Sequence, residues 1–459
     1  MDTSRYYPVN RRETLAEDRG NDYYRSHIAA LYQKCLGHQS RHLAIYIGDL
    51  GTRCYLPYRI ATSQSFDLDL LRFLPKQSLP QEGMESEQME KARWQILEEA
   101  LSFAEQVRHH CHVSSRPQRV SLLEGELVGA LAMKIVISTA LLSLVDNFPT
   151  KGGICSALKS DVESCKDELL QFGMSHVVPL PPGECEILYG RAGYLKALSF
   201  VRRETNDPEF GTDLARNLIG KIWDEGKRFS KQLKCPFPLM WEWHSSLYLG
   251  AAHGVTGILH ALLDFTVELL QVDERALTTI DQTLEQLNGF CFESGNLVSS
   301  LPKSGDFRDK KDRLVQFCHG SPGHVLLLVQ MYVTSPTNHG AKHLNMAKQI
   351  AESTIFPRGL LRKGVGLCHG ISGNAYCFLS VHNAELKESI EKTREHQHND
   401  WLRHAYTYVN FALDNIDELK SIPDRPYSLY EGLAGLVCFL LDLVGQRDGT
   451  QSRFPCFEL

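Results

Sequence analysis

A short glycine unit recurs along this chain, and each copy runs into an apolar stretch with helical spacing. The regular copies are Gly48-Asp49-Leu50-Gly51, Gly190-Arg191-Ala192-Gly193, Gly254-Val255-Thr256-Gly257, Gly320-Ser321-Pro322-Gly323, Gly370-Ile371-Ser372-Gly373 and Gly432-Leu433-Ala434-Gly435. A looser copy, Gly125-Glu126-Leu127-Val128-Gly129, has one extra residue. The gaps between first glycines are 77, 65, 64, 66, 50 and 62 residues. Each gap has room for two helices and their loops, at about 11–12 residues per helix. A missing Cβ permits close backbone approach and positive φ where helix ends crowd together. Seven such ends converging on one axis would line a polar cavity.

The intervening segments read as helices. Residues 161–172 mix Val162, Leu169 and Leu170 with charges, and Ser160 with Glu163 forms a capping-box pattern. Residues 214–233 carry Leu218, Ile219, Ile222, Trp223 and Phe229 at three- and four-residue steps. The stretches after the glycine units, such as 258–270 and 436–444, are almost wholly apolar. One amphipathic and one apolar helix per repeat implies an outer polar ring around an inner buried ring. Strand-like alternation is sparse, so the fold class is all-α.

The balance of 49 basic against 55 acidic residues, a net charge of −6, argues against a nucleic-acid binder. The 13 cysteines show no tight paired spacing, and the first residues lack an apolar signal core. Asp2 excludes N-myristoylation. These features predict a cytoplasmic protein with free thiols. Residues 127–145 are long and apolar enough to raise a membrane span, but Lys134 in their middle predicts a buried helix of the core instead. No transmembrane segment is expected.

Three turns carry chemistry: Ala252-His253-Gly254, Phe317-Cys318-His319-Gly320 and Leu367-Cys368-His369-Gly370. Thiolate and imidazole are natural zinc ligands. Cys318, Cys368 and one histidine would make three ligands, with a fourth position for water or substrate, as catalytic zinc sites have. The alternative is that these are free buried cysteines of a cytosolic core. Arg191, inside a glycine unit, is expected to face the cavity and hold a carboxylate or phosphate by its planar fork.

The chain resembles the eukaryotic LanC-like (lanthionine synthetase C-like) family. The matching stretches are residues 188–194, Tyr248-Leu249-Gly250-Ala251-Ala252-His253-Gly254, residues 312–323, residues 359–370, Tyr427-Ser428-Leu429-Tyr430-Glu431-Gly432 and the terminal residues 454–459. The resemblance is strong from about residue 186 onward and weaker over 1–185. It implies one domain over 1–459, an α/α toroid of seven helical hairpins with divergent first repeats. It also implies one zinc ion, with ligands falling on Cys318, Cys368 and His369. The implied activity is addition of glutathione to dehydroalanine or dehydrobutyrine in peptides or proteins, forming a thioether. The alternative is a non-catalytic zinc- and glutathione-binding signalling or scaffold protein.

Within that resemblance His253 matches a histidine beside the zinc and is the candidate acid for protonating the enolate that thiol addition creates. Lys363, five residues before Cys368, falls where relatives place a lysine contacting glutathione. His319 matches no family ligand and is expected to line the site. Two departures stand out. Phe317 replaces the tryptophan usual before the first ligand cysteine. Ser421, in the loop 420–426, aligns with an arginine of glutathione-binding relatives, and Arg425 nearby is a candidate substitute.

Other signals are weaker. Pro179-Leu180-Pro181-Pro182 has the form of an SH3 ligand, but a linker between repeats is the simpler reading. His109-His110-Cys111-His112 reads as a surface cluster, and the charged runs 80–93 and 385–400 as solvated helices or loops. A carbohydrate-cleaving α/α barrel would need paired cavity carboxylates, for which Glu431 and Asp49 are conceivable. It would leave the Cys-His turns without a purpose.

Overall fold

A computed structural model describes residues 3–9, 16–64, 66–67, 70, 85–114, 119–145, 152–233, 237–301, 310–335, 338–391, 400–446 and 451–458. Helices dominate these residues. The paired strands are Leu247–Tyr248 and Ser300–Leu301, which run antiparallel. Each of the seven glycine turns delivers an inner helix. In chain order these are a π-turn Gly51–Tyr55 continuing as Leu56–Thr62, then Glu126–Leu144, Arg191–Thr205, Val255–Leu263, Ser321–Thr334, Ile371–Glu391 and Leu433–Gly445. From the second onward each inner helix packs on the next, and the seventh packs on the first. Between them run the outer helices Asn21–Leu36, Glu85–Val113, Gly152–Phe172, Thr212–Leu233, Ala276–Asn288, Asn338–Ile350 and Asp400–Asp414. This is an α/α toroid.

The two rings differ as the apolar pattern requires. Leu433–Gly445 is buried along its whole length, as is Val255–Leu263. Thr212–Leu233 buries one stripe, including Leu214, Leu218, Ile219, Ile222 and Trp223. Each fully buried aliphatic side chain stabilises the fold by roughly 1.5–3 kcal/mol before entropy is counted, so the inner ring is the core. The apolar Glu126–Leu144 belongs to that ring and is mostly buried. Its Lys134 emerges between two outer helices, where Nζ meets Glu105 and, at 3.0 Å, Asp161.

Three expectations need correction. Ser160 and Glu163 are not a capping box, because the helix starts upstream at Gly152 and carries both in its interior. The apolar run 258–270 is not one helix. Val255–Leu263 ends and Thr266–Val272 begins at a bend of 101°. The first glycines of the units do not supply positive φ: Gly190, Gly254 and Gly432 have φ of −107°, −122° and −130°. Close approach is their reason. A Cβ on Gly320 would lie 2.0 Å from the Leu314 carbonyl oxygen, and one on Gly254 would lie 2.3 Å from that of Tyr248. The second glycines are as crowded, with a Cβ on Gly373 1.8 Å from the Leu367 oxygen and one on Gly193 2.0 Å from that of Ile187.

Of the charged runs, Glu85–Val113 takes up most of the first and Ile371–Glu391 the start of the second. Residues 80–84 and 392–399 lie outside the described residues. His109, His110 and His112 are exposed on Glu85–Val113, with His112 Nε2 2.8 Å from Glu168.

The turns are stitched to one another by backbone hydrogen bonds. Ala252 N donates to Cys318 O (3.3 Å), Cys318 N to Cys368 O (3.3 Å), Cys368 N to Tyr430 O (2.7 Å), Tyr430 N to Tyr46 O (3.0 Å) and Tyr46 N to Leu123 O (2.9 Å). Leu122 N then donates to Gly193 O (3.0 Å). The chain of turns therefore circles the axis, and residues remote in sequence meet at its mouth.

Candidate metal centre

Superposing the seven turns by their first glycine aligns their side chains in columns. The residue just before that glycine is Ile47, Glu124, Tyr189, His253, His319, His369 or Glu431. Glu124 is buried and the others are half-buried. The residue four before the glycine includes Ser121, Glu186, Gln316 and Ser428, and it bonds back onto the turn, to its backbone in every case but Gln316. Ser121 and Ser428 accept from the backbone N–H of Glu124 and Glu431 at 3.0 and 3.2 Å. Glu186 accepts from the backbone N–H groups of Leu188, at 2.8 Å, and Tyr189.

The Cys318–Cys368 backbone bond brings the two Cys-His turns side by side. The ligand atoms of Cys318, Cys368 and His369 all lie within 4.8 Å of one another. Among the described residues they are the one group of His, Cys, Asp or Glu that meets this geometry. Both cysteines are buried, and His369 is half-buried. A hydrogen bond from Cys368, opposed by burial and reinforced by His369 and His319, holds the Cys318 thiol well below its ordinary pKa. The same contact and burial push Cys368 well above it. Gln316 Nε2 donates to Cys318 Sγ at 3.1 Å. The Tyr46 hydroxyl bonds to the Cys368 sulfur, and its ring stacks on Tyr430 at 4.2 Å. Two sulfurs and an imidazole, each sulfur with its own polar neighbour, form a donor set that can hold a soft or borderline metal ion.

His253 stands on the adjoining turn. A Cβ on Gly250 would lie only 2.3 Å from the Cys318 carbonyl oxygen, so the two turns are pressed together. His253 Nδ1 lies 2.9 Å from Glu186 Oε2, and Glu186 is 1% exposed. The carboxylate fixes the imidazole as the Nδ1–H tautomer, so Nε2 is the nitrogen left with a lone pair. The indole of Trp243 stacks on the imidazole at 4.1 Å with planes 4° apart. Trp243 is held by a tight turn in which His244 and Ser245 have φ of 46° and 60°. His319 stands 5.9 Å from the His253 ring, inside the same mouth, and its buried Nδ1 has no hydrogen-bond partner among the described residues.

The expected carboxylate holders fare differently. Arg191 does not face the cavity. Its guanidinium donates to the carbonyls of Leu180, Pro181 (3.2 Å) and Glu184 (3.4 Å), and the residue is 4% exposed. As the first residue of an inner helix it projects back onto the preceding linker, which it clamps. Lys363 is exposed. Ser421 Oγ bonds to Glu418 O at 2.7 Å. Arg425 lies 3.6 Å from Glu431, the residue of the seventh turn that faces the mouth. It also lines a cavity of about 410 Å³ with His38, Arg41, His42 and Tyr427. Asp49 accepts from Ser40 N at 3.0 Å within its own turn region.

Sequence reasoning missed Glu186, Gln316, Tyr46 and Trp243. The first two were within reach, because they occupy the column four residues before the glycine. Tyr46 stands two residues before Gly48, in the column of Cys318, Cys368 and Tyr430, whereas Trp243 carries no such signal.

The lanthionine synthetase C-like protein family model matches residues 150–459. A relative from Danio rerio, named glutathione S-transferase LANCL1, is 33% identical over 299 residues, which cover 65% of this chain and 67% of the relative. With the glycine turns, the toroid and the Cys-Cys-His cluster in hand, the chain belongs to the lanthionine synthetase C-like family.

Proposed function

We propose that this chain holds one zinc ion on Cys318, Cys368 and His369 and adds the thiol of glutathione to dehydroalanine or dehydrobutyrine in peptides or proteins. The observation that carries the reading is the convergence of those three donors within 4.8 Å. Three ligands leave a fourth tetrahedral position for an incoming thiol. When bound, zinc would lower the pKa of that thiol, so that the nucleophile exists near neutral pH. The name of the Danio rerio relative supports glutathione as the thiol.

The addition is redox-neutral. The glutathione sulfur bonds to the β-carbon, the C=C π pair moves into an enolate, and the α-carbon takes a proton. We assign that proton to His253 Nε2. Glu186, bound to Nδ1 at 2.9 Å, would hold the ring's orientation and tautomer while Nε2 gives up and regains its proton. The proton released by the thiol restores the imidazolium. Trp243 covers one face of the ring and fixes its plane. Lys363 and Arg425 are the candidate holders of glutathione's carboxylates. The buried thiols, free wherever they are described, fit a reducing, cytoplasmic setting.

The test pairs metal analysis with product mass. Wild-type protein should carry one zinc per chain and yield a thioether from glutathione and a dehydroalanine peptide, and Cys318→Ala should do neither. Zinc-loaded protein that forms no thioether would sink the enzyme. A second reading, a zinc- and glutathione-binding scaffold without turnover, draws on the exposed Lys363 and on Ser421, which is exposed and bonds locally to Glu418 O. Partner binding lost in Cys368→Ala, with no wild-type turnover, would favour it.

A further inference from the structure

The C-terminal residues 454–458 run into the middle of the toroid, where Phe454, Cys456 and Phe457 are 0–2% exposed. One side of this segment touches the neighbours of both sulfurs. Phe317, which precedes Cys318, stacks on Phe454 at 4.4 Å and meets Phe457 edge-on at 4.9 Å. The Tyr430 hydroxyl donates to Pro455 O at 2.8 Å, while the Tyr430 carbonyl accepts from Cys368 N at 2.7 Å.

The other side is fastened to three inner helices. Lys196 Nζ donates to Phe457 O (2.6 Å) and to Asp264 (2.7 Å), and lies 2.8 Å from His260 Nδ1. The His260 ring packs on Phe457 at 4.1 Å. Ser380 Oγ donates to Glu458 Oε1 at 2.6 Å, and the other Glu458 oxygen accepts from Phe454 N at 2.8 Å. Cys456 sits at φ 57°, a left-handed conformation costly for a non-glycine residue. A lysine, an aspartate and a histidine all within 1% of complete burial are an expensive way merely to fill space. Lys196, held by the other two, donates to one backbone carbonyl of the terminal segment, that of Phe457, and the His260 ring packs on the same residue.

We propose that residues 454–458, locked by the Lys196–Asp264–His260 cluster, are a positioning strut that sets the spacing of Cys318 and Cys368 for the metal. The strut rests on the metal reading above. It fixes Phe317 and Tyr430, and through them the two backbones whose sulfurs must converge. Neither Lys196 nor the terminal segment touches the reacting atoms, so their role is to position the ligands.

The test measures zinc affinity by chelator competition and the absorption spectrum of the cobalt-substituted protein, which reports ligand geometry. The double variant Lys196→Met/Asp264→Leu removes both charges together, which avoids leaving one buried without its partner. It should bind zinc about tenfold more weakly, in the range of other supporting-shell changes, with a shifted cobalt spectrum. Tyr430→Phe, which loses only the bond to Pro455 O, should move both readouts in the same direction and decides the matter if the double variant fails to fold. Arg108→Gln, on the outer ring, controls for general destabilisation and should move neither. Unchanged affinity and spectrum in a folded strut variant would overturn the inference. Wild-type protein that binds no zinc would instead overturn the metal reading on which it rests.

Discussion

Cys318 and Lys363 both sit in stretches shared with the family, yet the toroid treats them differently. Cys318 is bonded through its own N–H to Cys368 O and through its own carbonyl to Ala252 N, and it is flanked by Gln316 and backed by Phe317 on the terminal segment. Lys363 is exposed. The candidate metal donors are thus held by backbone within a ring of turns, and the rim that would receive glutathione's carboxylates presents side chains to solvent. The contrast teaches that backbone bonds and burial fix the sulfur set, whereas a rim cation keeps the side-chain freedom of an exposed residue. Ser421, where the family resemblance implies an arginine, lies exposed on the rim, not in the ring.

The sharpest way to break the comparison is at a sulfur. Cys368→Ala should lose the metal and cost at least about a thousandfold in kcat/KM, since metal assistance is worth several kcal/mol. Full activity in a metal-free Cys368→Ala protein would show that the ring is scaffolding only. The next step separates metal from proton transfer. His253→Gln should lower kcat by about a hundredfold, with zinc content unchanged. Glu186→Gln should follow it less severely, through a misoriented imidazole. If either variant loses its zinc, the pair belongs to the metal's support and not to proton transfer.

Arg191 separates a linker clamp from a substrate holder. Arg191→Met should lower stability by about 2 kcal/mol in a denaturant titration, because the carbonyls of Leu180, Pro181 and Glu184 lose a charged donor. The KM for glutathione should not move. Gln316→Leu, which removes the amide from Cys318 Sγ, is expected to weaken metal binding by about tenfold, read by the same chelator competition.

These effects also mark what could be read from the chain alone. The turns were legible because glycine is required wherever a Cβ would strike a carbonyl, as at Gly373 and Gly193, and that requirement repeats. The sulfurs were legible because Cys-His-Gly puts rare residue types on two equivalent turns. The column four residues before the glycine makes Glu186 legible as a turn residue, but not its contact with His253, 67 residues away. Arg191 was misread for the same reason in reverse. Its place in the glycine unit was clear, but whether the first residue of an inner helix looks into the mouth or back onto the linker is set by packing. The break at Leu263–Thr266 shows the limit for helices, since an apolar run has no period that says where it bends.

Lys363 carries the smallest expected effect and the one that bears most directly on the rim. An exposed cation meeting a carboxylate gains little over water and pays side-chain entropy to be held, so single pairs of this kind contribute about 0.2–1 kcal/mol. Lys363→Ala should therefore raise the KM for glutathione only about two- to fivefold, leave kcat and zinc content alone, and matter less as salt rises. Arg425→Ala, beside Glu431 at 3.6 Å, should do the same with a somewhat larger rise, because it lines a cavity instead of open surface. Measured together, the two variants separate a dispersed rim from a built one. Effects that simply add would mean two independent surface contacts. A double variant that loses far more than the sum would mean that both cations grip one glutathione at once, and the rim would then be as constructed as the ring of turns beneath it.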